Sequence, residues 1–208
     1  MSNLLTESTI ILENDRVLIR PLTVDDHEHL LSISLNEPEL WHFSLVSAAG
    51  SENLTQYIKT ALEDRAKGTA YPFIVYDKLT NSYAGSTRYY DIQERFKTLQ
   101  LGYTWYGEDF QGTGLNKNCK YLLLKYAFED LGMERVEFRA DNSNHRSIAA
   151  MKSIGCKMEG VLRNHMPNNH GGRRDSIVLS ILKGEWEAYV KSNLEEKIFP
   201  SDPDGNVN

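Results

Sequence analysis

Six consecutive residues, Gln111-Gly112-Thr113-Gly114-Leu115-Asn116, stand between a strand-like run and a long amphipathic run. The first turn of a helix has unpaired backbone N–H groups and carries the positive end of the helix dipole. Glycines let the main chain approach a ligand closely. A glycine-rich loop at a helix start therefore suits a phosphate or a pyrophosphate, and Lys117 and Lys120 can add positive charge nearby. The alternative is a strand-to-helix turn that binds nothing, because such turns are common punctuation.

Three phosphate-binding signatures compete for this loop. A P-loop needs a lysine after its second glycine; Gly107 and Gly112 have the spacing, but Thr113 follows. The dinucleotide fingerprint needs a third glycine, and Gly112-x-Gly114 leads instead to Lys117. The third is the Q/R-x-x-G-x-G/A loop of acyl-CoA transferases. Gln111 and Gly114 fit it, with Asn116 in place of the last small residue.

The elements that must position the loop follow from periodicity. Arg16 to Leu22 alternates polar and apolar residues and reads as a strand. Thr23, Asp25 and Asp26 place acceptors and negative charge at the start of a helix whose apolar face is Leu30, Leu31 and Leu35. Asn53 to Ala66 has helical spacing and stops at Gly68. Three strand-like runs then lie close together, at 71–76, 83–92 and 99–106. Their short connections favour antiparallel pairing, since parallel strands need a longer crossover. Leu115, Cys119, Leu122, Leu123, Tyr126 and Leu131 mark the long helix after the loop, ended by Gly132. Val136 to Arg139 is the next strand, parallel to the one before the loop because the helix crosses over between them. A helix at 144–154, two strands near 158–166 and 176–182 around a turn at 168–172, and a last helix with Trp186, Tyr189, Val190 and Leu194 complete the chain. The expected fold is α/β (α+β): a single mixed, mostly antiparallel sheet of about seven strands with helices on both faces. Residues 1–199 form one domain, and 200–208 a loose tail.

Composition narrows the functional classes. The chain has 208 residues, 40% hydrophobic and 25% charged, within the globular range. Lys+Arg 23 against Asp+Glu 29 gives a net charge of -6, which argues against direct non-specific nucleic-acid binding. Cys119 and Cys156 are too few for a disulfide scaffold and too far apart for a CxxC pair, and the histidines lack zinc-site spacing, so no metal is expected. The first basic residue is Arg16 and no apolar run is long enough for a membrane span, so a soluble cytoplasmic protein with no membrane partner is expected.

Taken together the motifs resemble the GNAT acyltransferase superfamily, in particular its ribosomal-protein N-acetyltransferase branch. The resemblance runs through most of the chain. It begins at Leu18-Ile19-Arg20-Pro21-Leu22 with Asp25-Asp26, continues through Gly85, Leu101-Gly102-Tyr103 and the loop, and includes Asn144-His145-Arg146-Ser147 and Gly155. It ends with Glu159-Gly160-Val161-Leu162-Arg163, Asp175 to Leu182 and Glu185-Trp186. The resemblance implies a GNAT-like fold that binds acetyl-CoA as co-substrate. It implies that Gln111, Gly112, Thr113, Gly114, Leu115 and Asn116 cradle the pyrophosphate with Lys117 beside it. Tyr103, Thr104 and Trp105 would contact the pantetheine arm, and Asn144, with Ser147 one turn on, would hydrogen-bond the coenzyme. Asn144 is equally placed to cap the following helix. The activity implied is transfer of an acetyl group to a primary amine, a protein N-terminus or a small amine, by direct attack in a ternary complex.

Such attack needs a base for the ammonium proton, donors for the developing negative charge and modest acid help for the thiolate. Many members carry a glutamate where Gln100 stands and a tyrosine where Met151 stands. The remaining candidates are Glu108 and Asp109 near the loop, Asp91 or Glu94 after the second hairpin strand, Tyr103 as a proton donor, and Ser147. Trp41, Phe43, Tyr89 and Arg163 are candidates for the acceptor pocket, with Tyr90, Arg173 and Arg174 nearby in sequence. The missing Glu and Tyr keep a second class open, a non-catalytic acyl-CoA sensor or interaction module. Exposed aromatics and the last helix are compatible with a homodimer.

Overall fold

The computed structural model describes residues 9–168 and 171–199. Asn169 and His170 of the expected turn, and the expected tail, lie outside the described residues. Alternation in β2 (Val17–Pro21) buries Val17 and Ile19 on one face. A two-residue strand, β1 (Leu12–Glu13), pairs with it and brings the strand count to eight rather than about seven. Helix α1 (Asp26–Asn36) starts without the Thr23 side-chain cap expected from sequence. The roles are reversed: the Thr23 N–H donates to the Asp26 carboxylate at 2.8 Å, and Asp26 also pairs with Arg20 at 2.6 Å. Helix α2 (Ser51–Ala66) follows a short turn at Pro38–Trp41.

Three strands follow: β3 (Ala70–Asp77), β4 (Ser82–Gln93) and β5 (Thr98–Tyr106). After the loop come α3 (Leu115–Lys125), a π-helical turn at Tyr126–Asp130, β6 (Arg135–Asp141), α4 (His145–Ser153), β7 (Lys157–Pro167) and β8 (Arg173–Leu182). Turns at Lys183–Glu185 and Trp186–Val190 lead into α5 (Lys191–Ile198). The strands form one sheet, β1-β2-β3-β4-β5-β6-β8-β7, antiparallel throughout except for β5 and β6. The crossover helix thus makes its two flanking strands parallel, as the spacing requires.

Strand alternation divides the interior into two cores on opposite faces. In β3, Tyr71, Phe73 and Val75 pack with Leu115, Cys119, Leu123 and Leu124 of α3 and Leu194 of α5. Ile74 faces the other way, into a core with Leu30 of α1, Leu54, Tyr57 and Ile58 of α2, Trp41 and Trp105. Each such fully buried side chain contributes about 2 kcal/mol of hydrophobic stabilisation. No helix among the described residues is long and apolar enough to cross a membrane.

Candidate active site

The loop enters α3 through two residues in left-handed backbone, Gly112 at φ +75° and Gly114 at φ +88°. Gly114 is the N-cap and gives the helix no side-chain cap. Among the described residues the N–H groups of Gly112, Thr113 and Gly114 have no partner, and a Cβ at either glycine would meet nothing within 4 Å. Unsatisfied donors thus stand at a helix start with room for added bulk at both glycines, which is the kind of environment a diphosphate requires. Leu115 is buried in the core and anchors the first turn; its N–H is directed at Thr113 Oγ1, 3.4 Å away. Asn116 Oδ1 is buried without a partner.

Side chains around the loop hold its shape. Gln111 Nε2 donates to the Tyr106 carbonyl at 2.9 Å, and Arg146 of α4 donates to Gln111 Oε1. Thr113 Oγ1 donates to the Phe110 carbonyl at 2.8 Å and accepts from Arg16 at 3.2 Å. Arg16 pairs with the buried Asp77 at 2.7 Å. Asn144 is the N-cap of α4, its side chain accepting the Ser147 N–H at 3.0 Å. Lys117 borders the loop beside Gly114.

Strand β5 is bulged ahead of the loop. The β4–β5 register slips between Ser86↔Trp105 and Arg88↔Gly102, so Tyr103 and Thr104 face Thr87 alone. Tyr103 takes up this mismatch with φ +49°. The close crossing nearby depends on Gly85, where a Cβ would stand 2.0 Å from the Trp105 carbonyl oxygen. On its other side β5 pairs with β6 only over Thr98–Gln100; beyond Gln100↔Glu137 the two strands part. The β6-side edge of Tyr103-Thr104-Trp105 is therefore free of a neighbouring strand.

Chemistry-bearing groups gather on the second-core face of this fork. Gln100 Nε2 donates to the Asp91 carboxylate at 2.7 Å, while Gln100 Oε1 is buried without a partner. Glu137 is held between Arg135 at 2.7 Å and Arg139 at 2.6 Å. The Arg88 guanidinium lies between the rings of Tyr103 and Tyr57, at 4.2 and 4.8 Å from their centroids. Burial raises the pKa of Tyr103, so its phenol stays protonated near neutrality and can donate. Beside this face a cavity is lined by His42, Phe43, Ser44, Asp141, Ser143, Asn168 and Arg174.

Several expected residues stand elsewhere. Tyr89 is fully buried in the first core, its hydroxyl donating to the Leu123 carbonyl; Tyr90, on the opposite face, meets Tyr103. Trp41 is 2% exposed and packs edge-on against Trp105, a core residue rather than a pocket wall. Arg163 is exposed on β7 and does not line the cavity, whereas Phe43 and Arg174 do. Lys120 is not at the loop mouth but buried under the bulge, 2.8 Å from Thr104 Oγ1. Glu108 is exposed with its N–H on Glu37, and no hydrogen bond joins it to Tyr103 or Ser147. Glu137, Arg88 and the Asp91–Gln100 bond escape a reading of the sequence, because only the slipped register and the fork bring them to one face.

Comparison with known proteins shows what the chain is similar to. Residues 16–157 match the model of the acetyltransferase (GNAT) domain. The chain is 27% identical over 179 residues to the Bacillus subtilis (strain 168) protein described as "Putative ribosomal N-acetyltransferase YdaF", covering 84% of this chain and 95% of that one. A crystal structure described as a "putative acetyltransferase", from T. thermophilus, superposes with a TM-score of 0.81 at 31% identity, over 91% of this chain and 97% of that one. Mycobacterium smegmatis RimJ in complex with CoA-disulfide shares the fold at a TM-score of 0.76 and 16% identity, over 91% and 93% of the two chains.

Proposed function

The chain belongs to the GNAT acetyltransferase family, and from that premise we propose that it moves an acetyl group from acetyl-CoA to a primary amine by direct attack in a ternary complex. The observation that carries this reading is the run of N–H groups at Gly112, Thr113 and Gly114 with no partner among the described residues, at the head of α3 beside two glycines with room around them.

When bound, acetyl-CoA supplies the activated thioester carbonyl. In the proposed roles the loop N–H groups bind the diphosphate, with Lys117 beside them, and Arg16, Gln111 and Arg146 keep the loop in shape. The β5 edge beyond Gln100 takes the pantetheine amides as an added strand would. Asn144 is kept as the α4 cap that orients the first-turn N–H groups, and Ser147 as a neighbouring polar contact. An amine that is mostly ammonium at neutral pH must lose a proton to become a nucleophile. Asp91, steered by Gln100, is the carboxylate proposed to take it through water; Tyr103 donates toward the departing sulfur. Positioning of the two reactants supplies much of the rate.

The description of YdaF as a ribosomal N-acetyltransferase favours a protein N-terminus as the first acceptor to test, with small amines second. The buried free thiols of Cys119 and Cys156 accord with a cytoplasmic site of action.

Calorimetry with acetyl-CoA, then release of free thiol across a panel of amines, tests the proposal. Gly114→Asp adds bulk and negative charge beside the diphosphate and is expected to abolish binding. Undiminished binding by that variant contradicts the site, and tight binding without thiol release for any amine turns the reading into that of an acyl-CoA sensor.

A further inference from the structure

We propose that the acceptor amine carries a carboxylate and that Arg174 receives it. This deepens the acetyl-transfer reading above and rests on it. Arg174 opens onto the cavity of about 110 Å³ formed by His42-Phe43-Ser44, the end of β6 and the start of β8. The residue is 9% exposed. Two of its donors are used, Nε by Ser176 Oγ at 3.1 Å and Nη1 by the Phe43 carbonyl at 3.4 Å. A guanidinium has five N–H donors in a planar fork, so an edge remains for a ligand. Arg174 forms no ion pair among the described residues, although Arg16, Arg20, Arg135 and Arg139 each do.

A second buried arginine faces the same side of the sheet with the same deficit. Arg88 is 4% exposed, its Nε has no partner among the described residues, and its guanidinium lies over the rings of Tyr57 and Tyr103. Burying a charge without a counter-ion is costly, and in a chain of net charge -6 the two guanidiniums do not reflect a general surplus of cations. Burial outweighs the attraction of Asp141 in lowering the pKa of Arg174. Because no carboxylate among the described residues lies within ion-pair distance of either guanidinium, a ligand's negative charge would find an unpaired cation here.

The signs around the cavity select the ligand. Asp141 shares the lining with Arg174 and is engaged through Oδ1 by the Ser143 N–H at 2.9 Å. A cation-binding carboxylate and a carboxylate-binding guanidinium in one small cavity suit an amine with a carboxylate a few bonds away. The guanidinium fork pairs with either a carboxylate or a phosphate, but a phosphate dianion would be repelled more strongly by Asp141 than a singly charged carboxylate. A free amino acid and a peptide with an acidic residue at its start share this chemistry.

The test uses the full chain with acetyl-CoA and matched pairs of acceptors: amino acids against their carboxamides, and Ser-Glu against Ser-Gln peptides. Thiol release is expected to favour the carboxylate member of one pair by about tenfold or more in kcat/KM. The pair that shows it identifies the source. Arg174→Gln is expected to erase that preference, bringing kcat/KM for the carboxylate member down to that of its carboxamide in the same variant; Arg174→Lys should restore part of it. Calorimetry of the N-acetylated products reads the same preference without turnover. Equal use of both members of every pair, or a preference that survives Arg174→Gln, overturns the proposal. Transfer without carboxylate preference sinks this inference alone. Absence of transfer with every amine sinks the activity, and product binding then still decides the role of Arg174.

Discussion

Lys120 Nζ donates to Thr104 Oγ1 at 2.8 Å and lies 3.4 Å from Thr87 Oγ1, so a lysine on α3 braces the back of the bulge whose front carries Tyr103. It has no carboxylate partner among the described residues, and burial lowers its pKa to about 8. The unfolded chain therefore holds this proton more tightly than the folded one. Stability should be lowest below pH 8 on this account and rise between pH 8 and the ordinary lysine range near 10.5. Denaturant titrations of wild type and Lys120→Met across that window check it. The variant should be more stable at neutral pH, by at most about 3 kcal/mol, and should lack the alkaline rise. It should also lose acceptor turnover through a loosened bulge.

Arg16 links the loop to the sheet through Thr113 and Asp77. Asp77 Oδ2 is buried and unpartnered, so Arg16→Met strands a carboxylate and should cost about 3 kcal/mol in denaturant unfolding. The double variant Arg16→Met, Asp77→Asn should recover part of that loss. Neither should restore the wild-type KM for acetyl-CoA, because Thr113 has lost its guanidinium in both.

Gly85 and Gly112 both have positive φ, yet their alanine variants should differ. At Gly85 the new Cβ meets backbone at 2.0 Å, so β4 and β5 must separate; a loss of about 3 kcal/mol or more and of coenzyme binding is expected. At Gly112 there is open space, and only backbone strain of about 1 kcal/mol applies. Thermal melts read side by side with coenzyme titrations separate the two: Gly112→Ala should stay folded.

The hydrogen bond from Gln100 to Asp91 makes Gln100→Glu a sharp test of the base. The substitution places two carboxylates where one amide–carboxylate bond stood, and one of them must hold its proton to higher pH. Turnover should fall at neutral pH and recover toward alkaline pH, whereas Asp91→Asn should lower kcat by about 10²-fold or more at every pH. A pH–rate profile unaffected by either change would remove Asp91 from the mechanism.

Much of the frame is legible in the sequence because periodicity and glycine placement are local. The loop, the helix behind it, the parallel pair and the Asn144 cap all follow from spacing. Tyr89 and Tyr90 show where pattern reading stops: adjacent strand residues face opposite sides, so only one can reach the cleft, and which one depends on a register set by distant strands. Lys120 reads as a loop cation since charges are normally sorted outward. Its burial depends on Thr87 and Thr104 offering hydroxyls at a bulge that no local pattern encodes.

The divergence of β5 from β6 after three paired residues has a wider meaning. Exposed strand edges ordinarily sit at the rim of a sheet, where any passing polypeptide can add itself and where charge or proline must discourage it. Here two such edges lie inside the sheet, with β1 to β4 on one side and β8 and β7 on the other. Guarding against stray association is thereby left to topology, and a slender extended molecule becomes the natural missing stave.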